Sequence, residues 1–142
     1  MKILLVDDNR PDVRLFQESF RALRIPHELE VAYSGEEALQ TLSGSEHIVR
    51  LPDLILLDIN MPKIDGFEVL TAIRRNPNLR TIPVIVLSSS CEERDVYRAY
   101  DLGANCYLCK PMEEFVDLVG DLNRFWLMRA RLPAHRNAQP DK

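Results

Sequence analysis

Two short apolar runs that end in carboxylates restrict this 142-residue chain to a small set of folds. Lys2–Val6 runs directly into Asp7 and Asp8, and the continuous apolar run Leu54–Leu57 ends at Asp58. A short apolar run without polar alternation is typical of a strand covered on both faces, as in a parallel sheet between two layers of helices. The sequence therefore predicts an α/β fold whose central strands are followed by acids.

Strand-like and helix-like segments alternate along the rest of the chain. Apolar residues spaced three and four apart, as at Val13, Phe16 and Phe20, indicate helices, whereas short apolar runs indicate strands. The predicted strands cover 2–6, 28–33, 54–57, 82–87 and 106–109, and the predicted helices cover 10–24, 35–42, 67–75, 92–102 and 112–131. This alternation predicts a doubly wound, five-stranded parallel sheet with helices on both faces and right-handed crossovers.

The carboxyl ends of the predicted strands carry residues suited to phosphoryl transfer. Parallel strands end at the same edge, so Asp7, Asp8, Asp58, Ser88 and Lys110 should gather there. Three carboxylates repel one another unless a hard divalent cation joins them, which predicts a Mg²⁺ site. The lysine and the serine could bind phosphoryl oxygens beside a nucleophilic aspartate. The alternative is that these are ordinary solvated loop residues, but four matching strand ends argue against it.

Ordered motifs across nearly the whole chain resemble the receiver domain of bacterial two-component response regulators. The matching segments are Val-Asp-Asp-Asn at 6–9, Leu-Leu-Asp-Ile-Asn-Met-Pro at 56–62, Asp-Gly at 65–66, Val-Leu-Ser-Ser at 86–89, Gly-Ala at 103–104, Tyr107 and Lys-Pro at 110–111. This resemblance implies the flavodoxin-like strand order 2-1-3-4-5. It also implies that a sensor histidine kinase donates a phosphoryl group to the chain, which then acts as a conformational switch read by partner proteins.

The resemblance assigns the acceptor and the metal ligands. Asp58 is the implied phosphoacceptor and also a metal ligand, and Asp8 is an implied direct Mg²⁺ ligand. The resemblance further implies that Asn60 contributes its backbone carbonyl to the metal and that Asp7 acts on the metal through water.

The resemblance also assigns the residues that bind and sense the phosphoryl group. Lys110 holds it, Ser88 is the switch hydroxyl and Tyr107 is the switch aromatic. The Lys110–Pro111 bond is expected to be cis, as in the family.

The resemblance sets the expected boundaries and partner. The segments 76–83, 99–107 and 125–127 resemble single-domain regulators paired with bacterial and cyanobacterial phytochrome kinases. We expect a receiver domain over 1–132 and a mobile tail over 133–142, without an output domain. Two other functions stay open: an adaptor that works without phosphorylation, and a small aspartate-nucleophile phosphatase. The phosphatase is disfavoured because neither a cap domain nor a further acid–base carboxylate is evident.

Charge and hydropathy argue against two classes of partner. The net charge of -4 gives no general attraction to nucleic acid. Every apolar run is far shorter than the roughly 18 residues needed to cross a bilayer, so no membrane span is predicted. The N-terminal apolar block is too short for a signal peptide, and we expect a cytoplasmic protein.

The three cysteines are expected to be packing residues rather than a disulfide or a metal site. Their number is odd, and Cys91 is distant in sequence from the others. Cys106 and Cys109 are three residues apart on a predicted strand, which directs their side chains to opposite faces.

The last helix carries more apolar surface than one sheet face requires. Its predicted core stripe contains Met112, Phe115, Val119, Leu122 and Trp126. Leu118, Phe125 and Leu132 lie to one side of this stripe, with Val116 and Leu127 to the other. This pattern predicts a homodimer through helix five, the alternative being that the long side chains cover the sheet edge.

Overall fold

The computed structural model of the protein describes residues 1–44, 50–111 and 114–134. In these ranges five parallel strands form one sheet in the order β2-β1-β3-β4-β5, so the predicted doubly wound, flavodoxin-like α/β fold is confirmed. The strands are β1 (Lys2–Val6), β2 (Glu28–Ala32), β3 (Leu54–Leu57), β4 (Val84–Ser88) and β5 (Cys106–Cys109). The helices are α1 (Arg10–Ala22), α2 (Gly35–Ser43), α3 (Gly66–Arg75), α4 (Glu93–Asp101) and α5 (Phe115–Leu122), followed by a π-helical turn at Asn123–Leu127.

Alternating side chains of the central strands build two separate cores. Leu4 and Ile55 are register partners and face the core beneath α2, α3 and α4. Leu5 and Leu56 are also partners, and they face the core beneath α1 and α5. Successive side chains of a strand point to opposite faces, so an unbroken apolar run serves both layers.

Local side chains cap the helices that begin at the carboxyl edge of the sheet. The Asn9 side chain accepts a hydrogen bond from the backbone of Asp12 at the start of α1. Asp65 and Glu68 form a reciprocal capping box at the start of α3. Among the described residues, no helix is both long enough and apolar enough to cross a membrane.

The C-terminal helix differs from the continuous helix predicted at 112–131. The expected core residue Met112 lies outside the described residues, and the α-helix gives way to the π-helical turn after Leu122. A π-helical turn contains more residues than an α-helical one and therefore shifts the buried face. As a result Leu127, which was placed beside the stripe, is buried, whereas Trp126 is only half-buried.

The three apolar residues predicted to one side of the core stripe differ in how much surface they expose. Leu118 and Leu132 are half-buried and pack against the core beneath α1 and α5. Phe125 alone of the three is exposed, with 56% of its surface accessible. The tail expected at 133–142 is described only for Pro133 and Ala134, and its remaining residues lie outside the described ranges.

Two expectations about the chain near β5 are wrong. Peptide bonds in the described ranges are all trans, including Lys110–Pro111, and trans is the isomer that X–Pro bonds intrinsically prefer. Cys91 and Cys109 are joined by a disulfide, whereas Cys106 is free. Because Cys109 is the register partner of Ser88, the short loop after β4 brings Cys91 close to it.

Candidate functional site

The acids that follow β1 and β3 lie side by side at the carboxyl edge of the sheet. The backbone N–H of Asp58 donates to the carbonyl of Val6 at 2.9 Å, which extends the ladder between the two strands past their ends. Asp7 and Asp58 are 3% and 5% exposed, whereas Asp8 is exposed. One carboxylate oxygen from each of these acids lies within 4.8 Å of the others. The predicted cluster of three acids is therefore present.

Lys110 places a buried positive charge against this cluster. Its Nζ lies 2.7 Å from Asp7 Oδ2 and 3.6 Å from Asp58 Oδ2, and its side chain is only 7% exposed. The backbone N–H of Lys110 donates to the Ser88 carbonyl at 2.8 Å, so the register of β4 and β5 sets the position of the lysine. The predicted neighbourhood of Lys110 and Asp58 is thus observed.

Asp12 on α1 belongs to the same cluster and was missed by the sequence analysis. Its Oδ2 lies 3.0 Å from Lys110 Nζ, and its side chain is 24% exposed. Asp12 is the third residue after the cap Asn9, in the first turn of the helix that follows the acid pair. That position was the available signal, because the first turn of a helix lies next to the end of the strand before it.

The pKa values of this cluster reflect burial and mutual contact. Burial raises the pKa of Asp58 to about 7, with Lys110 lowering it and the neighbouring Asp7 raising it. Burial alone would lower the pKa of Lys110, but hydrogen bonds and attraction to the surrounding carboxylates raise it to about 12. The lysine is therefore charged at neutral pH, whereas the Asp58 carboxyl is poised between its two forms.

Ser88 and Asn60 connect Asp58 to β4. Ser88 is fully buried, and its Oγ accepts hydrogen bonds from Asn60 Nδ2 at 3.2 Å and from the Ser90 backbone N–H at 3.0 Å. The Asn60 backbone N–H donates to Asp58 Oδ1 at 3.2 Å. The amide contact with Ser88 was not foreseen, and the metal-binding role of the Asn60 carbonyl stays a prediction.

Tyr107 on β5 is hydrogen-bonded to the loop that follows β4. Its hydroxyl donates to the Ser90 carbonyl at 2.7 Å, and its half-buried ring packs against the core beneath α2, α3 and α4. The hydroxyl of Ser90 in turn donates to Asp95 Oδ2 of α4 at 2.6 Å. Ser88 and Tyr107 are therefore coupled through the first residues of the loop between β4 and α4.

The donor atoms of the cluster fit a hard divalent cation. Carboxylate oxygens are preferred ligands of such cations, and Asp7, Asp8 and Asp58 present three of them within 4.8 Å of one another. A cation there would relieve the repulsion that helps to raise the pKa of Asp58.

Mg²⁺ affinity should fall about tenfold from about pH 8 to about pH 6. Asp58 has a pKa raised to about 7, so below that pH the cation must displace a proton. Titration calorimetry should show proton release on binding at about pH 6 and little at about pH 8. Asp8→Asn should weaken binding at every pH, whereas Asp101→Asn, at the far end of α4, should not. Equal Mg²⁺ affinity at both pH values would contradict the raised pKa.

The sequence of the chain is similar to those of known response regulators. Residues 3–120 match the family of response regulator receiver domains. The response regulator Rcp1 of Synechocystis is 43% identical over 136 residues, which cover 93% of this chain and 92% of Rcp1.

Two proteins of known structure are similar to the chain in both sequence and fold. The phosphorylated cyanobacterial phytochrome response regulator RcpA is 44% identical, with a TM-score of 0.87 over 94% of this chain and 98% of RcpA. The Mn²⁺-bound form of Rcp1 is 43% identical, with a TM-score of 0.85 over 94% of this chain and 99% of Rcp1.

Proposed function

We propose a phosphorylation switch centred on Asp58 as the function of this chain, which belongs to the response regulator receiver domain family. The chain is a response regulator homologous to the regulators Rcp1 and RcpA. One observation supports Asp58 as the phosphoacceptor: it is a buried carboxylate at the end of a central strand, within reach of both the acid pair and Lys110.

The proposed reaction uses the ionised Asp58 carboxylate as the nucleophile. Asp8, Asp58 and the Asn60 carbonyl would hold Mg²⁺, with Asp7 acting on it through water. The bound ion would supply positive charge to the phosphoryl oxygens. Lys110 lies near enough to Asp58 for its ammonium group to move from the carboxylates and pair with a phosphoryl oxygen. The bond from phosphorus to the donor atom, a histidine nitrogen of the kinase or an oxygen of acetyl phosphate, breaks as the bond to an Asp58 oxygen forms.

The proposed conformational response begins at Ser88. Its hydroxyl leaves the Asn60 amide and the Ser90 N–H to approach a phosphoryl oxygen. This movement makes space for Tyr107 to leave the Ser90 carbonyl and to rotate inward. The exposed surface formed by α4, β5 and α5 then changes, and a partner protein binds the altered surface.

The proposed donor is a sensor histidine kinase of the phytochrome class. Similarity to RcpA, a cyanobacterial phytochrome response regulator, supports this assignment. We place the protein in the cytoplasm, where the catalytic domains of such kinases meet their regulators. The net charge of -4 supports a protein partner rather than nucleic acid.

The proposal is tested by incubating the protein with acetyl phosphate and Mg²⁺. We expect one phosphoryl group per chain, stable in acid and lost in base, as for an acyl phosphate. Sustained turnover of p-nitrophenyl phosphate would instead favour the phosphatase, because it requires an external substrate. If neither acetyl phosphate nor a phosphorylated phytochrome kinase transfers its phosphoryl group, the adaptor is the better description.

We also propose a homodimer through α5 and the turn that follows it. Phe125 and Met128 are 56% and 70% exposed, and Val116 is exposed on the preceding α-helix. Leu118 and Leu132 lie half-buried beside them and would add their remaining apolar surface. Each Å² of apolar surface removed from water contributes roughly 25 cal/mol, and a symmetric pair buries the patch twice.

A Phe125→Glu, Met128→Glu double variant should be monomeric at about 100 μM, where an interface of standard size is normally occupied. Both side chains are exposed, so charges there disfavour association without disturbing the core. Light scattering measures the mass in solution. Tyr97→Glu on α4, where the tyrosine is 74% exposed, is the matched control and should stay dimeric. A monomeric wild type or a dimeric double variant would refute this interface.

A further inference from the structure

The Cys91–Cys109 disulfide joins two segments that carry the proposed switch residues. Cys91 lies in the loop between β4 and α4, and Cys109 is the last residue of β5. Their Cα atoms are 5.7 Å apart, within the range that a disulfide spans without backbone movement. Both cysteine residues are exposed, whereas the free Cys106 is half-buried. Small thiols and disulfides can therefore approach the bonded pair.

Each end of the disulfide is adjacent to a residue of the proposed site. Cys109 directly precedes Lys110 and is the register partner of Ser88. Cys91 directly follows Ser90, whose carbonyl accepts the Tyr107 hydroxyl and whose N–H donates to Ser88 Oγ. The bond thus ties the loop to β5 in the arrangement in which Ser88 and Tyr107 make these contacts.

We propose that Cys91 and Cys109 form a reversible redox site that, when oxidised, holds this loop in the unphosphorylated arrangement and slows phosphorylation. The effect on phosphorylation rests on the proposed function, whereas the redox site and the restraint on the loop do not. The proposed cytoplasmic location favours a regulatory role over a structural one, because disulfides of intracellular proteins are rare and are usually transient or redox-sensing.

The oxidant is a low-molecular-weight disulfide such as oxidised glutathione. The thiolate of one cysteine attacks a sulfur of the oxidant, forms a mixed disulfide and releases one small thiol. The thiolate of the other cysteine then attacks the protein sulfur of that mixed disulfide and releases a second small thiol. The protein loses two electrons and two protons in total, and a small dithiol reverses the reaction.

The restraint acts on the movement that the switch requires. Phosphorylation draws Ser88 toward Asp58 and removes Tyr107 from the Ser90 carbonyl, so Ser90 must be free to shift relative to β5. The bond at Cys91 limits that shift. Because coupling between two events is reciprocal, phosphorylation should make the disulfide easier to reduce by the same factor that oxidation disfavours phosphorylation.

The redox site is tested on the full chain by intact mass after equilibration with oxidised or reduced glutathione. Wild type and Cys106→Ser should each lose two hydrogens under oxidation, whereas Cys91→Ser should only add glutathione. Amide exchange of residues 88–92 should be slower in the oxidised wild type than in the reduced one, with no difference for Cys91→Ser. Failure of the wild type to lose two hydrogens would overturn the proposal, as would loop exchange that ignores the redox state.

The regulatory effect is tested by the rate of phosphorylation with acetyl phosphate and Mg²⁺. Oxidation should slow it at least about fivefold in wild type and Cys106→Ser, the lower end of typical couplings, and should leave Cys91→Ser unchanged. Equal rates in both redox states of the wild type overturn the regulation. A reduced wild type that takes up no phosphoryl group refutes the proposed function instead, while mass and amide exchange still decide the disulfide restraint.

Discussion

Asp58→Asn should abolish phosphoryl uptake from acetyl phosphate or from a phosphorylated kinase. Asparagine has nearly the same shape and can still accept the hydrogen bond from the Asn60 N–H, but its amide is not a nucleophile. Intact mass and labelled phosphate should both show no incorporation above background. Asp101→Asn removes one carboxylate from an exposed position at the far edge of the sheet and should incorporate phosphate like wild type.

The free energy of unfolding of Asp58→Asn shows whether the variant has lost only the nucleophile or also the fold. The raised pKa means that, without a cation, ionisation of buried Asp58 lowers stability as pH rises from the ordinary value of 3.8 toward about 7. Asparagine removes this unfavourable charge, so the free energy of unfolding of Asp58→Asn at about pH 8 should be no lower than that of wild type. A folded variant that still takes up phosphate at the wild-type rate would assign the acceptor to another residue.

Lys110→Met should lower the free energy of unfolding of the metal-free protein by about 3 kcal/mol at about pH 8. The substitution leaves Asp7 and Asp58 buried without the ammonium group of Lys110, which contacts both. Mg²⁺ should restore part of this loss, because it supplies positive charge to the same carboxylates. Urea denaturation with and without Mg²⁺ measures both effects, and the variant should also be phosphorylated more slowly.

Lys2→Met is the matched control for this experiment. Lys2 is also buried and its Nζ pairs with Glu30 at 3.0 Å, but it lies at the opposite edge of the sheet from the acids. Its loss should be destabilising with no additional gain from Mg²⁺. An equal Mg²⁺ response in the two variants would show that Lys110 does not compensate the acid cluster. The raised pKa of Lys110 implies a contribution that is constant near neutral pH and is lost only as pH rises through about 12.

The class of fold and the residues at the carboxyl edge of the sheet could be predicted from the amino-acid sequence alone. Continuous apolar runs of strand length, helical spacing between them and acids directly after two of the runs are local features of the chain. Parallel topology then requires that the residues after successive strands meet at one edge. For this reason the sequence pattern is enough to predict that Asp7, Asp8, Asp58 and Lys110 are neighbours.

The contacts between individual side chains at that edge could not be predicted from the sequence, because they depend on how the elements pack. Asp12 reaches Lys110 across 98 positions of sequence, and Asn60 reaches Ser88 across 28. Such contacts depend on the distances and angles between elements, which periodicity does not encode.

The cysteine pair and the C-terminal turn were decided by structure for the same reason. Cys91 meets Cys109 because the end of β4 pairs with the end of β5 and the loop after β4 stays close to it, which a count of cysteines cannot reveal. The π-helical turn after Leu122 shifts the buried face to Leu127. A prediction made at a constant 3.6 residues per turn cannot anticipate this shift. Local pattern thus determined the elements and the order of functional residues, and packing between elements determined their contacts.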